Sequence, residues 1–195
     1  LNDNYHQSLI YRVIGNHYFG RGEDERARQY YERSLGRTDS VGYKSNAALV
    51  NNQLGRSALR GGQPVTARRH FEAAFTMGVE VENFFVQSES LYHLSLLEKM
   101  TGDNERALDL ARRSVELVET LYADVDSSKL KGGYFSGVYE RYQYYTHLLM
   151  RASVGQSNGD FALQAFRIAE NGRARSLREG LSLAAREFLR DAPRD

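Results

Sequence analysis

The chain has 195 residues, of which 41% are hydrophobic and 26% charged, and its formal net charge is +1. This composition is that of a folded globular chain, and the near-zero charge argues against partners such as nucleic acid or an anionic membrane. The chain contains no cysteine, which excludes a disulfide scaffold and a thiolate nucleophile. No apolar run approaches the roughly 18 residues of a transmembrane helix, and no secretory signal is present, so we predict a cytoplasmic protein. Because the sequence starts at Leu1 without methionine, we expect it to be part of a longer protein.

Three segments of the chain repeat one pattern at a period of forty residues. Each has an alanine at the same offset, with another small residue seven positions later: Ala27 and Ser34, Ala67 and Ala74, Ala107 and Ser114. Four positions after these alanines stand Tyr31, Phe71 and Ala111, and twelve positions before them stand Gly15, Gly55 and Ser95. Spacings of three, four and seven return a residue to one face of an α-helix. The recurrence therefore predicts three helical units.

Each unit is predicted to be two antiparallel helices joined by a tight turn, at Gly20–Gly22, Gly61–Gly62 or Gly102. A glycine inside a helix costs roughly 1 kcal/mol relative to alanine. Gly15 and Gly55 therefore indicate close approach of the second helix, whose own small alanine we expect to face them. Pro64 stands near the first turn of a second helix, where its missing N–H costs little.

A fourth helix pair is predicted over residues 134–195, so that residues 1–123 hold three pairs and residues 124–133 form a loop. Its first helix carries one stripe of apolar and aromatic residues that we expect to be core: Tyr134, Val138, Tyr142, Tyr145 and Leu149. Its second helix repeats the earlier spacing with Ala162, Phe166 and Ala169.

The pattern of large, small and large residues followed by alanine, aromatic and alanine resembles the tetratricopeptide repeat (TPR). The first unit follows it from Tyr11, Ile14, Gly15 and Tyr18 through Ala27, Tyr31 and Ser34. The resemblance implies an all-α, right-handed superhelical solenoid of about four helix pairs. It also implies a protein or peptide ligand in a concave groove lined by the first helices.

The last sixty or so residues resemble a narrower family. The helix "GGYFSGVYERYQYYTHLLMR" and the segment "AENGRARSL" at Ala169–Leu177 are similar to the last helices before the protease-like domain of bacterial TPR-CHAT proteins. The resemblance implies that the chain is the regulatory N-terminal part of such a protein, with its catalytic His and Cys in a downstream domain in cis. Two alternatives are a ligand-sensing TPR arm of a bacterial transcriptional regulator and a stand-alone adaptor.

The sequence contains no pattern that indicates an enzyme in this chain. The five histidines include no pair at three- or four-residue spacing, so no helical metal site is indicated. Phosphate-binding glycine loops and a nucleophile elbow are missing as well. We therefore predict no catalytic residue, metal or cofactor.

A ligand in the groove would contact the first-helix side chains that face away from their own partner helices. These candidates carry amides, cations and aromatic rings, which suit the backbone and side chains of a bound peptide. They are Arg12, Asn16, Asn52, Gln53, Arg56, Tyr92, His93, Lys99, His147 and Arg151.

Overall fold

The computed structural model describes residues 2–36, 41–124, 137–154 and 160–191, and the regular structure in these ranges is entirely α-helical. The helices are α1 (Asn2–Gly20), α2 (Asp24–Leu35), α3 (Val41–Arg60), α4 (Pro64–Glu80), α5 (Phe84–Thr101), α6 (Asn104–Asp124), α7 (Val138–Ser153) and α8 (Asp160–Asp191). The predicted all-α class of antiparallel helix pairs is confirmed. None of the eight helices combines the length and the apolarity needed to cross a lipid bilayer.

The three tight turns lie where the sequence predicts them. Gly22, Gly62 and Gly102 have positive φ angles of 78°, 70° and 88°, a conformation that glycine adopts without a steric penalty. In each turn the amide after the glycine donates back across the helix end, as in Glu23 N to Tyr18 O at 3.0 Å and Asp103 N to Glu98 O at 3.0 Å. This bond satisfies a carbonyl that the ending helix leaves open. One turn geometry therefore recurs every forty residues.

In the first two helix pairs of the first compact unit, Leu1–Leu117, a glycine of one helix lies against an aromatic ring of the other. A Cβ atom built on Gly15 would lie 2.5 Å from Tyr31 Cε1, and one on Gly55 would lie 2.5 Å from Phe71 Cε1. The atoms nearest to these glycines therefore belong to the aromatic ring four residues after the alanine that we expected to face them. The missing side chain leaves room for a fully buried ring of the second helix, which fills the space better than a methyl group would.

A second contact between helices changes its chemistry from unit to unit. Ser8 on α1 and Ser34 on α2 each donate to the other's backbone carbonyl, at 3.0 and 2.8 Å, and Asn46 on α3 donates to Ser8 Oγ at 2.7 Å. Forty residues later the same three places hold Ala48, Ala74 and Val86, which pack together in an apolar cluster. Ser88 and Ser114 restore the reciprocal serine bonds in the third unit. At this contact, polar side chains therefore pack against polar ones in the first and third units, and apolar side chains pack against apolar ones in the second.

The second compact unit, Val118–Asp195, contains the end of α6 together with α7 and α8. The predicted core stripe of α7 is confirmed for Val138, Tyr142, Tyr145 and Leu149, which are buried; Tyr134 lies outside the described residues. Glu119 on α6 accepts a hydrogen bond from the Tyr142 hydroxyl at 2.6 Å and pairs with Arg175 of α8. The predicted loop at 124–133 lies, beyond its first residue, outside the described residues.

The predicted register of α8 is wrong by three residues. Ala162 and Phe166 are exposed, whereas Ala165 is buried and a Cβ on Gly172 would lie 2.8 Å from Cβ of Tyr142. The glycine therefore stands on the second helix here and receives a ring from the first helix, the reverse of the arrangement in the first two pairs. Alanines at several offsets make the sequence compatible with either register, and contact with Tyr142 selects one.

Candidate functional site

Helices α1, α3 and α5 lie side by side in the first unit and bring most of the candidate groove residues to neighbouring positions. We call the surface formed around the candidates on these three helices the first-helix face; these candidates are Arg12, Asn16, Gln53, Arg56, Tyr92, His93 and Lys99. Neighbouring side chains bury some of these residues and leave others exposed, and only the exposed ones can contact a ligand.

Asn52 does not belong to this face, and its prediction as a groove residue is wrong. The side chain is fully buried, and its amide donates to Val86 O and to Glu89 Oε2, both at 3.2 Å. Its carbonyl oxygen accepts from Ser90 Oγ at 2.8 Å. A buried amide needs such partners because leaving it unsatisfied costs free energy. Asn52 therefore connects α3 to α5 and is not accessible to a ligand.

Arg12 and Asn16 reach the surface of α1 and are fixed by neighbouring helices. Arg12 Nε donates to Asn46 Oδ1 at 2.7 Å, and the Tyr31 hydroxyl donates to Asn16 Oδ1 at 2.9 Å. The Tyr31 hydroxyl is protonated at neutral pH, and burial raises its pKa further above the usual value. Both side chains are therefore oriented before any ligand arrives.

Arg56 is the cation nearest the middle of the face, and it is held by three groups. Its guanidinium lies 5.0 Å from the ring centre of Phe19, and Nη1 donates to Gln53 Oε1 at 3.2 Å. The oxygen Glu89 Oε1 is 3.8 Å away, and 38% of the Arg56 side chain is exposed. Stacking on an aromatic ring fixes the plane of a guanidinium while its N–H edge stays available for hydrogen bonds.

The candidates on α5 divide between the core and the helix end. His93 stacks on the buried ring of Phe71, with 4.8 Å between ring centres and 11° between planes, and also contacts Tyr92. Lys99 donates to the side-chain oxygen of Asn104, near the turn to α6. Tyr92, His93 and Lys99 are all partly exposed, so their role in binding stays a prediction.

His147 and Arg151 lie on α7 in the second unit, one turn apart and exposed. His147 lines a cleft of about 310 Å³ between α7 and α8, together with Tyr139, Gln143, Thr146 and Arg173. That His147 and Arg151 line the same groove as the first-helix face stays a prediction.

An ionic cluster around one buried glutamate in the first unit was not predicted from the sequence. Glu98 on α5 is buried, and its Oε1 is 2.7 Å from Arg68 Nη1 on α4 and 3.1 Å from Arg106 Nε on α6. The hydrogen bond from Arg68 holds the pKa of this carboxyl below its usual value. The sequence contained a sign of this cluster, because Glu98 stands at a position where the repeat pattern usually has a large side chain. The cluster connects α4, α5 and α6.

Among the described residues, no group of three or more His, Cys, Asp or Glu side chains could hold a metal ion.

Comparisons with known proteins identify a fold and no family. No family model and no curated protein matches the chain. The crystal structure of BtubC (BKLC) from P. vanneervenii matches 96% of this chain and 67% of that chain, with a TM-score of 0.58 and 16% identity. The crystal structure of MamA protein matches 97% of this chain and 98% of that one, with a TM-score of 0.46 and 17% identity. The chain has a TPR-like repeat fold.

Proposed function

We propose that this chain is an interaction scaffold that binds a protein or peptide on the first-helix face. The observation that carries the proposal is Arg56, which is held by Phe19, Gln53 and Glu89 and is still 38% exposed near the middle of three adjacent helices. An oriented arginine loses little side-chain freedom when it binds, which favours recognition of a carboxylate.

The face favours an extended, acidic segment. Arg12, Arg56 and Lys99 contribute cations, while Glu89, the acid on α5 that lies 3.8 Å from Arg56, is buried and bonded to Asn52. Asn16 and Gln53 supply amides that can bond a peptide backbone, and the exposed Val13 supplies an apolar contact. Glu89 and His93 occupy places where a clamp for a C-terminal carboxylate would need cations. Acidic side chains along the segment are therefore the better match.

Selection from a display library of short random peptides tests this proposal. We expect enriched sequences to be acidic, and Arg56→Ala to weaken their binding at least about tenfold, because charge-assisted hydrogen bonds to a carboxylate are lost. Arg69→Ala, an equally drastic change at an exposed arginine on the second helix α4, is the matched control and should leave binding unchanged. Enrichment of no sequence, or equal losses in both variants, would contradict binding at this face.

A narrower role follows from the resemblance of the C-terminal helices to TPR-CHAT proteins. We propose that the scaffold regulates a caspase-like domain in cis, and the support is the Ala169–Leu177 motif, whose Arg175 pairs with Glu119. Reading the native frame beyond Asp195 tests this role. A downstream domain that carries a His and a Cys would support the regulatory role. A reading frame without such a domain would favour a stand-alone adaptor. A helix-turn-helix module encoded before Leu1 would favour the transcriptional regulator.

A further inference from the structure

The outward side of α8 carries large apolar residues that no described residue of its own unit covers. Leu163, Phe166, Leu177 and Leu181 are between 52% and 66% exposed. Together with Glu170 and Ala174 they follow spacings of 3, 4, 4, 3 and 4, which is 18 residues in five turns and one straight row along the helix. Two exposed apolar pairs, Leu163 with Phe166 and Leu177 with Leu181, thus lie on either side of the central Glu170 and Ala174, and exposed apolar surface of this size is typical of an interaction site.

The opposite side of α8 holds the contacts of the second unit. Gly172 lies against Tyr142 of α7, and Arg175 pairs with Glu119 and lies 4.3 Å from the ring centre of Tyr122 on α6. The row is therefore open to a partner while the helix is held in place from behind.

The row reads nearly the same in both directions. Reversed about its centre near residue 172, it places Leu163 opposite Leu181, Phe166 opposite Leu177, and Glu170 opposite Ala174. A second copy of α8, packed antiparallel, would therefore cover each of the four large apolar side chains with another of them. We propose that this chain forms a twofold dimer through antiparallel pairing of α8 with α8 of a second copy.

The charges in the middle of the row select the antiparallel orientation. Within one copy Glu170 and Arg173 form an exposed ion pair at 2.5 Å. With the two helices crossing at residue 172, Glu170 of one copy lies within about 1.5 Å, along the axis, of Arg173 of the other, and the twofold axis forms this contact twice. A parallel pair would place Glu170 opposite Glu170, which is repulsive. Charge complementarity thus exists for one of the two orientations.

Sedimentation equilibrium of the full chain over a range of concentrations tests the dimer. We expect the wild type to dimerise, and Phe166→Glu to weaken dimerisation at least about tenfold because a charge enters an apolar contact. Phe166 is exposed in the monomer, so an unchanged far-ultraviolet circular dichroism spectrum should show that the fold persists.

The charge pair provides a test that leaves the apolar residues untouched. Glu170→Arg should weaken the dimer, and the swap Glu170→Arg with Arg173→Glu should restore it, because the swapped pair is complementary again across the twofold axis. Glu25→Arg breaks an equally exposed ion pair on α2, with Arg28 at 2.5 Å, and should have no effect. A monomer at every concentration, or a dimer that neither Phe166→Glu nor Glu170→Arg affects, would overturn the proposal.

Disulfide trapping distinguishes the orientations, since the chain has no cysteine of its own. We expect a mixture of Leu163→Cys and Leu181→Cys chains to form disulfides chiefly between unlike chains. Disulfides formed between like chains only would indicate a parallel pair and overturn the antiparallel assignment.

Discussion

Replacing Gly55 by alanine tests how the helix pairs of this protein interlock. The added Cβ would lie 2.5, 2.6 and 2.8 Å from three ring carbons of Phe71, where carbon atoms in contact are normally about 3.5–4.0 Å apart. The ring would have to move by about 1 Å. It is fully buried and its plane stacks on His93, so that it cannot move without displacing other core residues.

The magnitude follows from two opposing effects. Overpacking a core costs roughly 1–3 kcal/mol, and three simultaneous overlaps place this site in the upper half of that range. Alanine is favoured over glycine inside a helix by about 1 kcal/mol. We expect Gly55→Ala to lower the free energy of unfolding by about 1–2 kcal/mol, which is roughly 2–8 °C in Tm for a chain of this size.

Thermal and urea unfolding followed by circular dichroism measure this loss. Gly20→Ala is the matched control, because Gly20 ends α1 and no atom lies within 4 Å of a Cβ built there; it should stay within about 0.5 kcal/mol of the wild type. In a Phe71→Leu background, Gly55→Ala should cost less, since the ring that it strikes is gone. If Gly55→Ala proves as stable as Gly20→Ala, the glycine does not accommodate the ring.

Two further predictions concern buried polar contacts. Glu98→Gln should cost about 1–2 kcal/mol at neutral pH. Because Arg68 lowers the pKa of Glu98, the difference in unfolding free energy between wild type and Glu98→Gln should persist above the usual carboxyl value of 4.5 and shrink as the pH falls through the lowered pKa. Urea titrations at several pH values measure this difference. A difference that never shrinks in acid would contradict the ion pair. Ser88→Ala should cost about 1 kcal/mol, but Ser88→Ala with Ser114→Ala should cost less than the two single changes together, because two alanines pack at these places in the second unit. Strict additivity in urea unfolding would contradict this coupling.

The period of the sequence was sufficient to predict the helix pairs and their turns. Ala27, Ala67 and Ala107 lie in the core, and Gly22, Gly62 and Gly102 end their helices with positive φ. These features depend on residues close in sequence, namely the 3.6-residue turn and the backbone freedom of glycine, so one chain read by itself reveals them.

The candidate site was predictable only in part, because accessibility depends on neighbouring helices. Asn52 and Arg56 lie one turn apart on α3, and both are polar residues at predicted groove positions. Contact with Val86 and Glu89 buries the first, whereas stacking on Phe19 leaves the second partly exposed. A periodic pattern places a residue on a helix face but does not show what covers that face.

The sequence by itself determined which segments are helices, where three turns fall and that a repeat builds the first unit, since each follows from local geometry. The tertiary structure decided the partners: that Tyr31 and Phe71 fill the spaces at Gly15 and Gly55, that serine pairs with serine, and that α8 turns Gly172 rather than Phe166 toward α7. Those contacts join residues distant in the chain, and several registers satisfy the same helical period. Only packing to near-solid density selects among them.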